Sequence, residues 1–427
     1  MKINPFKPNS PTRPGMFVGR TKEIERLETA LIQTRANQSV SFLLTGERGI
    51  GKTSLLNLIK SFAEGDIEVR ETKLNYLVIE TDITKDTTQL GLIKKIEIAL
   101  RRKLAATEQT RKIFGDIWDF LKKIEAVGVK FNESKNENME LVFENFSYSI
   151  ADTINRITSG ESSHFNTNYD GLLILIDEAD SASDELDLGA FTKLLTERLQ
   201  KEGTEKMMFG IAGLPKTKEV LNKSHPSSLR IFDDIVIDRL TNQEIKQVIS
   251  KVLQSGKELN GVPVTIEPSA EALLVQFSEG FPHFIHQYGF NAYELSDGAN
   301  ISQENVVSGA FGKNGALETI GNKYYKDDYY NKIQRDNYRQ VLNIMAESMD
   351  GWVTRQQIIK KYKGTEQTLS NAINALTKRN IIVPQEGKKG VYRLQDKGFA
   401  WWILMNCKKD EQKQAEQNSK KSRTDVK

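Results

Sequence analysis

Apolar residues fall into two alternating patterns along the first 240 residues. Short runs rich in apolar residues, typical of strands, lie at residues 40–45, 76–80, 172–176, 207–212 and 235–237; the run at 172–176 is unbroken, as in strands buried on both faces of a sheet. Between them, apolar residues three or four positions apart predict amphipathic helices at residues 21–36, 53–64, 88–104 and 188–200. Strands that alternate with helices indicate βαβ units, so this part of the chain is predicted to form a doubly wound parallel sheet of the α/β class.

The stretch at residues 105–150 is less regular. It predicts an insertion of helices, with a possible hairpin near residues 126–133.

Beyond residue 240 the periodicity becomes helical. Segments at residues 241–253, 268–280, 281–296 and 303–315 predict a small helical domain, and Thr241 followed by Glu244 is a good start for its first helix. From about residue 336 three further helical segments precede two short strands at residues 381–394, joined by a turn rich in glycine and lysine. Three helices followed by a hairpin predict the winged-helix form of the helix-turn-helix fold.

These patterns divide the chain into five parts. We predict an extended N-terminal arm, a nucleotide-binding core, a helical lid, a winged helix and a disordered basic tail, at residues 1–16, 17–240, 241–330, 331–406 and 407–427.

The composition argues against a membrane protein, a secreted protein and a disulfide- or zinc-stabilised protein. The chain is 38% hydrophobic and 27% charged, and it has no run of the roughly 18–20 apolar residues that a membrane span requires. The N-terminus lacks the apolar segment of a signal peptide, so we expect a cytoplasmic protein without membrane contact. One cysteine, Cys407, and four scattered histidines argue against a disulfide framework and a structural zinc site.

Charge is unevenly distributed. From Gly351 onward there are 17 basic and 7 acidic side chains, a balance of +10, while the whole chain carries only +3. A basic C-terminal module suggests an anionic partner. The alternative is a solvated lysine-rich end, which we prefer for the last 20 residues because they contain almost no apolar side chains.

A glycine-rich stretch follows the first predicted strand. Gly46, Glu47, Arg48, Gly49, Ile50, Gly51, Lys52 and Thr53 fit the spacing GxxxxGK[ST], between a strand and a helix. Backbone N–H groups of such a loop surround phosphates, the lysine reaches the β- and γ-phosphates, and the threonine hydroxyl contacts magnesium. We therefore predict that these residues and Ser54 bind ATP with Mg²⁺. The alternative is a simple turn.

The most apolar predicted strand, at residues 172–176, ends in Asp177 and Glu178. A carboxylate at the end of a strand beside a phosphate loop is placed to hold the nucleotide's metal. We assign Asp177 and Thr53 to the metal, and Glu178 to the activation of water as general base. The alternative is an acidic strand end facing solvent.

These motifs resemble those of AAA+ ATPases. Gly46–Thr53 looks like a Walker A motif, and residues 173–178 look like a Walker B motif that ends in Asp-Glu. Phe17-Val18-Gly19-Arg20 resembles the box that lines the adenine pocket in initiator-type proteins, and Gly280-Phe281-Pro282 resembles a GxP element in the helical lid of STAND-like signalling ATPases. The resemblance spans about residues 4–406 and is to prokaryotic AAA+ ATPases of the initiator (origin-recognition)-like or STAND-like type.

The resemblance implies roles for further residues. Val18, Gly19, Arg20 and Pro282 are expected to contact the nucleotide. The segment at residues 227–232 resembles one that often carries an arginine finger, which would make Arg230 catalytic across a subunit boundary and the ATP-bound protein a homo-oligomer. Alternatively, Arg230 is a surface ion-pair partner.

Two departures from the family pattern bear on turnover. Residues 209–215 resemble the fourth core strand, where relatives place a polar sensor, but Ala212 or Gly213 stands at that position. The lid has Pro282 and His283 where an arginine is expected, and His283 either senses nucleotide or only packs. Both departures predict slow hydrolysis.

The winged helix offers a surface for DNA. Its third helix has a polar face, and Lys388 and Lys389 lie at the tip of the wing; the polar face comprises Thr368, Ser370, Asn371, Asn374, Lys378 and Arg379. Contacts of this kind with phosphates supply affinity without sequence information. We expect double-stranded DNA to bind residues 366–393. A role in protein docking is the alternative.

The sequence therefore predicts an ATPase that hydrolyses ATP with magnesium and couples nucleotide state to DNA binding through the winged helix. The alternative is a STAND-like nucleotide switch in a bacterial stress or phage-defence response, with the winged helix as a docking element. A phosphotransferase is disfavoured, because it would need a second substrate pocket with its own base.

Overall fold

The computed structural model describes residues 2–105, 108–121, 135–159, 168–333, 335–348 and 351–406. The chain divides into two compact units. The core unit is Pro11–Asp238, and the helical unit combines Met1–Ser10 with Arg239–Lys427. The predicted hairpin near residues 126–133 and the predicted tail at residues 407–427 lie outside the described residues.

The core unit alternates strands with helices. Its strands are β1 (Ser41–Gly46), β2 (Tyr76–Asp82), β3 (Gly171–Asp177), β4 (Met207–Gly213) and β5 (Phe232–Ile237). Its helices are α1 (Thr21–Arg35), α2 (Lys52–Ala63), α3 (Gln89–Leu104), α4 (Glu108–Ile117), α5 (Lys135–Thr158), α6 (Leu188–Lys201) and α7 (Thr217–Ser224). Short 3₁₀ helices lie at Pro14–Met16, Ala179–Ser181 and Ser228–Ile231.

The five strands form one parallel sheet in the order β2-β3-β4-β1-β5. The predicted parallel sheet is thereby confirmed. Because β1 lies beside β4, and β4 beside β3, the carboxyl ends of these three strands meet at one edge of the sheet. That edge carries the loop after Gly46 and the carboxylates after Ile176.

Both faces of the sheet are covered by helices, as its apolar strands require. Leu77, Ile174 and Leu43 point to one face, where they join a buried cluster with α3, α4, α5 and α6. The alternate residues of the same strands point to the other face, which packs against α1 and α2. The irregular insertion thus contributes α4 and α5 to the main core.

The helical unit follows β5. It contains α8 (Asn242–Asn260), α9 (Pro268–Ser278), α10 (Pro282–Leu295), α11 (Gln303–Phe311) and α12 (Ala316–Ile320), with the short strands β6 (Thr265–Ile266) and β7 (Asn300–Ile301). Thr241 and Glu244 form the capping box that the sequence predicts at the start of α8. Two π-helical turns, at Gly321–Tyr325 and Asp328–Lys332, lead to the last part of the unit.

We call the last part of the helical unit, residues 336–394, its C-terminal subunit. The term denotes a part of this single chain and not a separate protomer. This subunit runs α13 (Asp336–Ala346), β8 (Val353–Thr354), α14 (Arg355–Lys361), α15 (Glu366–Lys378), β9 (Ile382–Pro384) and β10 (Val391–Leu394). The strands form an antiparallel sheet in the order β8-β10-β9. This is the element order of a winged helix, with the β9–β10 turn as the wing. A further helix, at residues 397–406, follows it.

The N-terminal residues differ from an extended arm. Phe6 is 1% exposed and packs against Gly289 of α10, where an added Cβ would lie 2.2 Å from the Phe6 ring. The backbone N–H of Ile3 donates to Asn260, and Asn260 donates back to the carbonyl oxygen of Ile3. Residues 2–10 are thus an integral part of the helical unit, while residues 11–16 belong to the core unit.

The second boundary between the units lies at residues 238/239, close to the predicted boundary at 240/241. In the part of the chain that the structure describes, no helix has the length and apolar character needed to cross a membrane.

Candidate nucleotide site

The loop after β1 turns twice through left-handed backbone. Gly49 has φ 79° and Gly51 has φ 107°, conformations that residues with a side chain rarely adopt. The loop is anchored by Ile50, which is 1% exposed, and α2 begins directly after Gly51. Glycine-rich turns of this kind, directly before the positive end of a helix, are the arrangement that binds phosphate through backbone N–H groups.

Lys52 lies inside this loop. Its ammonium group donates to the carbonyl oxygens of Gly46 and Glu47, each at 3.0 Å. Burial lowers the pKa of Lys52, while the negative charges of Asp177 and Asp180 act in the opposite direction. The ammonium group is therefore held next to the loop and close to both carboxylates, where the charge of a phosphate would stabilise its protonated form.

The two residues predicted to hold the metal are in contact. The Thr53 hydroxyl donates to Asp177 Oδ2 at 2.7 Å, and Asp177 Oδ1 accepts from the N–H of Glu178 at 2.8 Å. A hydroxyl and a carboxylate are oxygen ligands of the kind that magnesium prefers. No cluster of three or more acidic, histidine or cysteine side chains suited to a metal occurs among the described residues. Magnesium would therefore take its other ligands from phosphate oxygens and water, as it commonly does.

Glu178 directly follows Asp177 and has left-handed backbone, with φ 54° and ψ 31°. This conformation is uncommon for a residue with a side chain and is often found at functional sites. Glu178 is exposed, and its carboxylate makes no hydrogen bond or ion pair with the described residues. It is thus available to a water molecule near the γ-phosphate.

The last two residues of β4, Ala212 and Gly213, have no polar side chain. Ala212 is fully buried, and the space around Gly213 is filled by neighbouring atoms. A Cβ on Gly213 would lie 2.2 Å from the Thr217 hydroxyl. Polar groups come instead from neighbouring segments. Asp180 accepts from the N–H of Leu214 at 3.1 Å, and Lys216 Nζ lies 3.4 Å from Asp180 Oδ2.

Asp180 and Lys216 were given no role by the sequence analysis. Asp180 was visible in the acidic stretch after β3, but its partner is 36 residues away and is brought close only by the pairing of β3 with β4. The one sequence feature that points to Lys216 is its position shortly after the strand whose end is the predicted sensor position.

The predicted adenine box lies against the phosphate loop. Arg20 is 8% exposed, has left-handed backbone at the start of α1, and its guanidinium donates to the Ile50 carbonyl oxygen at 3.5 Å. Val18 and Gly19 directly precede it and are half-buried. Ser54, which was predicted to bind nucleotide, uses its hydroxyl to accept the N–H of Thr12 at 3.0 Å, so it also anchors the segment before the box.

Arg230 lies in the 3₁₀ helix before β5. Its side chain is exposed and makes no hydrogen bond or ion pair with the residues that the structure describes. The alternative reading as an ion-pair partner within the chain therefore has no support among these residues. Its reach across a subunit boundary stays a prediction.

Pro282 and His283 belong to the helical unit. Pro282 is the first residue of α10, and the His283 ring packs against the rings of Phe284 and Tyr324, at centroid distances of 6.2 and 5.4 Å. His283 thus packs against aromatic rings within the helical unit, which is the second of the two alternatives for this residue. Contact of Pro282 with nucleotide stays a prediction.

The polar face predicted for the third helix of the C-terminal subunit is partly used inside that subunit. Ser370 accepts from Arg355 at 2.9 Å, and the Thr368 hydroxyl is bonded to Tyr362 at 3.1 Å. The outward positions are Asn371, Asn374, Lys378 and Arg379, together with Lys388 and Lys389 in the β9–β10 turn, and all six are exposed. The core side of α15 is formed by Leu369, Ala372, Ile373 and Leu376.

A loop that can hold phosphates, a half-buried lysine within it, and a threonine–aspartate pair at the end of a parallel strand of the same sheet are the features of the P-loop nucleoside triphosphatase fold. Residues 16–204 match the family model of the AAA ATPase domain. No curated protein sequence matches the chain.

Two solved structures share the fold over nearly the whole length. The Walker-type ATPase PABY2304 of Pyrococcus abyssi is 15% identical with a TM-score of 0.54, and the match covers 94% of this chain and 99% of that chain. The ORC2 protein of Aeropyrum pernix, solved as ADPNP and ADP complexes, is 14% identical with a TM-score of 0.58, covering 97% and 99%. At these identities the matches show that the chain shares the fold of these two proteins.

Proposed function

We propose that this AAA+ ATPase hydrolyses magnesium-bound ATP and that its nucleotide state controls DNA binding by the C-terminal subunit. The observation that carries the first half is the 2.7 Å contact between Thr53 and Asp177, which supports the proposal that these two residues hold the metal beside the phosphate loop. The structures with the same fold include a protein complexed with ADPNP and ADP, which supports nucleotide binding here.

Each residue of the site has a distinct task in this reaction. Thr53 and Asp177 would hold magnesium, which would supply positive charge to the phosphate oxygens. Lys52 turns from the loop carbonyls to the β- and γ-phosphates and stabilises the charge that develops during transfer. Glu178 accepts a proton from the attacking water, whose oxygen forms the new bond to phosphorus as the bond to ADP breaks.

The proposal for DNA rests on charge and shape in the C-terminal subunit. Residues 351–406 carry ten basic and three acidic side chains. Four outward cations, at the end of α15 and on the wing, are exposed: Lys378, Arg379, Lys388 and Lys389. A helix with exposed asparagines flanked by such cations suits a DNA groove bordered by phosphates.

Equilibrium binding of a labelled DNA duplex tests the coupling. We would compare Glu178→Gln protein with saturating ATP, the same protein with ADP, and Lys52→Ala protein with ATP. We expect the affinity for DNA to differ between ATP and ADP, and Lys52→Ala to show the same affinity with and without ATP because it no longer binds nucleotide.

Point variants suit this test better than removal of residues 336–427. Arg239 of the helical unit donates to Asp396 at 2.7 Å, and Glu279 accepts from the N–H groups of Lys397 and Gly398. Truncation would remove these contacts and leave the Glu279 side chain, which is 7% exposed, without the N–H groups from which it accepts. DNA affinity that is unaffected by nucleotide and by the outward cations would contradict the proposal and favour the nucleotide switch with a docking role for the C-terminal subunit.

A further inference from the structure

The three-stranded sheet of the C-terminal subunit packs one of its faces against the helices. Val353, Leu394 and Ile382 point to that face and are at most 6% exposed. Side chains alternate between the two faces along each strand, so the residues next to these three point away from the helices. Among them are Val383 and Val391, which are half-buried. The second face is therefore not fully covered by the described elements.

An aromatic ring and a cation lie together on this second face. Arg393 pairs in register with Val383 on one side, and the β8–β10 register continued by one residue places Trp352 on its other side. The guanidinium carbon of Arg393 lies 5.2 Å from the centre of the Trp352 ring, which is a cation–π contact. We name the surface formed by Trp352, Val383, Val391 and Arg393 the outer face of the wing sheet.

Trp352 is exposed to a degree that is unusual in this chain. It keeps 41% of its surface accessible, whereas Trp118 and Trp402 are 1% and 2% exposed. Tryptophan is a large apolar side chain, and leaving it in water forgoes the free energy of burial. Exposed tryptophan side chains are enriched at surfaces that bind a partner.

Arg393 lacks an anionic partner within the described part of the chain. Apart from the Trp352 ring, its guanidinium makes no hydrogen bond or ion pair there, and its Nε atom is buried without an acceptor. Burying part of a cation costs free energy unless an anion is supplied. The adjoining β9–β10 turn adds Lys388 and Lys389 against one acid, Glu386. The surface thus combines a planar ring with positive charge that awaits an anion.

We propose that the outer face of the wing sheet binds an unpaired nucleic-acid strand, with a base stacked on Trp352 and a phosphate held by Arg393. Stacking on an aromatic ring tolerates every base, and arginine adds charge and a cation–π contribution. Val391 is about 7 Å from Arg393 along β10, and the turn lysines follow it, so successive phosphates would meet these cations in turn. This binding goes beyond duplex recognition by α15 and does not require it.

A single strand suits this surface better than a duplex or an acidic peptide. In a duplex the faces of each base pair are covered by its neighbours, so they are closed to the Trp352 ring. An acidic peptide would pair with Arg393, but it brings a planar group only where it carries an aromatic residue. A nucleic-acid strand brings a base and a phosphate with every unit.

The test uses the full-length protein without nucleotide and a fluorescein-labelled strand of twelve thymidines, which forms no duplex, followed by anisotropy. We expect saturable binding. Trp352→Ala should weaken it by about fivefold or more, and Trp352→Phe should restore part of the affinity because an aromatic ring is kept. Arg393→Ala should also weaken binding and should reduce the salt dependence by about 0.7 units of slope, the value for one phosphate contact on a single strand.

A strand of the same length built of abasic nucleotides separates stacking from charge. It keeps every phosphate and has no base, so the wild-type protein should bind it at least about fivefold more weakly than oligothymidylate. Trp352→Ala should bind both strands with equal affinity. Oligouridylate of the same length shows whether DNA or RNA is the preferred strand, and tighter binding of either one fits the proposal.

Tyr148→Ala is the matched control. Tyr148 of α5 is 43% exposed and has Arg198 at 5.4 Å from its ring centre, but that arginine is already paired with Glu144. The control should therefore bind oligothymidylate as the wild-type protein does. Unchanged circular dichroism spectra show that each variant folds.

Several outcomes would overturn the proposal. They are absence of saturable binding, equal wild-type affinity for the abasic strand, equal weakening by Tyr148→Ala and Trp352→Ala, and displacement of the strand by thymidine monophosphate at equal concentration. An equal loss of duplex binding in Trp352→Ala would also do so, because the ring would then be a duplex contact. Strand binding without any duplex binding would contradict the function proposed for α15 and would support this inference.

Discussion

The Thr53 hydroxyl and the Asp177 carboxylate are joined by a 2.7 Å hydrogen bond across 124 residues of sequence. Thr53 is at the start of α2 and Asp177 is at the end of β3, so the bond depends on the strand order that places β4 between β1 and β3. The following residue, Glu178, is thereby set at the border of the same site. This relationship leads to the first prediction.

Glu178→Gln is expected to leave ATP binding intact and to reduce kcat by about 10²–10⁴, because the metal ligands are kept and the general base is lost. Single-turnover hydrolysis and nucleotide affinity should be measured on the same preparation. Asp177→Asn is the companion variant, and it should raise the magnesium concentration required for activity. Hydrolysis by Glu178→Gln at the wild-type rate would show that another group activates the water.

Lys216 is predicted to contribute to hydrolysis from the end of β4. Its ammonium group is 3.4 Å from Asp180, whose charge also acts on Lys52, so Lys216 is a second cation near the phosphate loop. Lys216→Ala should lower kcat by about tenfold or more with little change in nucleotide affinity, and Lys216→Arg should restore part of it. Lys218→Ala is the control, because Lys218 is paired with Asp234. Equal effects of the two alanine variants would remove Lys216 from the site.

Arg230 is predicted to act on the nucleotide of a neighbouring subunit. Specific activity of the wild-type protein should then rise with protein concentration, and Arg230→Ala should lower the plateau by as much as about 10³-fold, since arginine fingers contribute on the order of 10³–10⁵ to rate in other systems. Mixing Arg230→Ala with Glu178→Gln protein should recover activity, because each supplies what the other lacks. A concentration-independent rate from a monomer would exclude this role.

Glu279 gives the helical unit a specific pH dependence. Its side chain is 7% exposed, and burial together with the nearby Asp396 raises its pKa from 4.5 to about 7. Hydrogen bonds from the N–H groups of Gly398 and Lys397, and the charge of Arg239, lower the pKa and offset part of this rise. The folded protein thus keeps this proton to a higher pH than the unfolded chain does. Stability should fall by about 2–3 kcal/mol as the pH rises from about 4.5 to about 7, and the fall should level off at about pH 8, above the pKa of the folded state.

Denaturant unfolding of wild-type and Glu279→Gln protein between pH 4.5 and pH 8 measures this effect. The glutamine variant should lack the fall, so the difference between the two curves should follow the titration of Glu279. Glu258→Gln, at an exposed position of α8, is the control. Parallel curves for wild-type and Glu279→Gln protein would contradict the assignment.

The sequence predicted the parts of the site that are local in the chain. The phosphate loop, Lys52 and the end of β3 are recognisable because strand, turn and helix must follow one another within a few residues. Pairings across the sheet, such as Asp180 with Lys216, could not be read from the sequence because they depend on strand order.

The N-terminal residues show a different limit. Four prolines and few apolar residues indicate an extended arm, yet Phe6 is buried in the helical unit. The space for its ring exists because position 289 is a glycine, and a sequence pattern does not reveal which distant glycine an aromatic ring will meet. The helix at residues 397–406 was also missed, since its closely spaced aromatic residues do not form a single apolar stripe.

The last prediction concerns the wing of the C-terminal subunit. Lys388 and Lys389 are exposed in the turn between β9 and β10, where they would meet backbone phosphates if α15 enters a major groove. Replacing both by glutamate should weaken binding to all duplex sequences alike and reduce the salt dependence by about one to two units of slope, because each phosphate contact releases close to one counterion.

Asn371→Ala and Asn374→Ala should act differently from the wing variant. Both asparagines are exposed on α15, and asparagine can pair bidentately with adenine, so their loss should reduce sequence preference by about 1–3 kcal/mol while the salt dependence is kept. Lys257→Glu, an exposed cation of α8 outside the C-terminal subunit, is the matched charge control. If Lys257→Glu weakens DNA binding as much as the wing variant does, the effect is one of net charge and the wing is not a DNA contact.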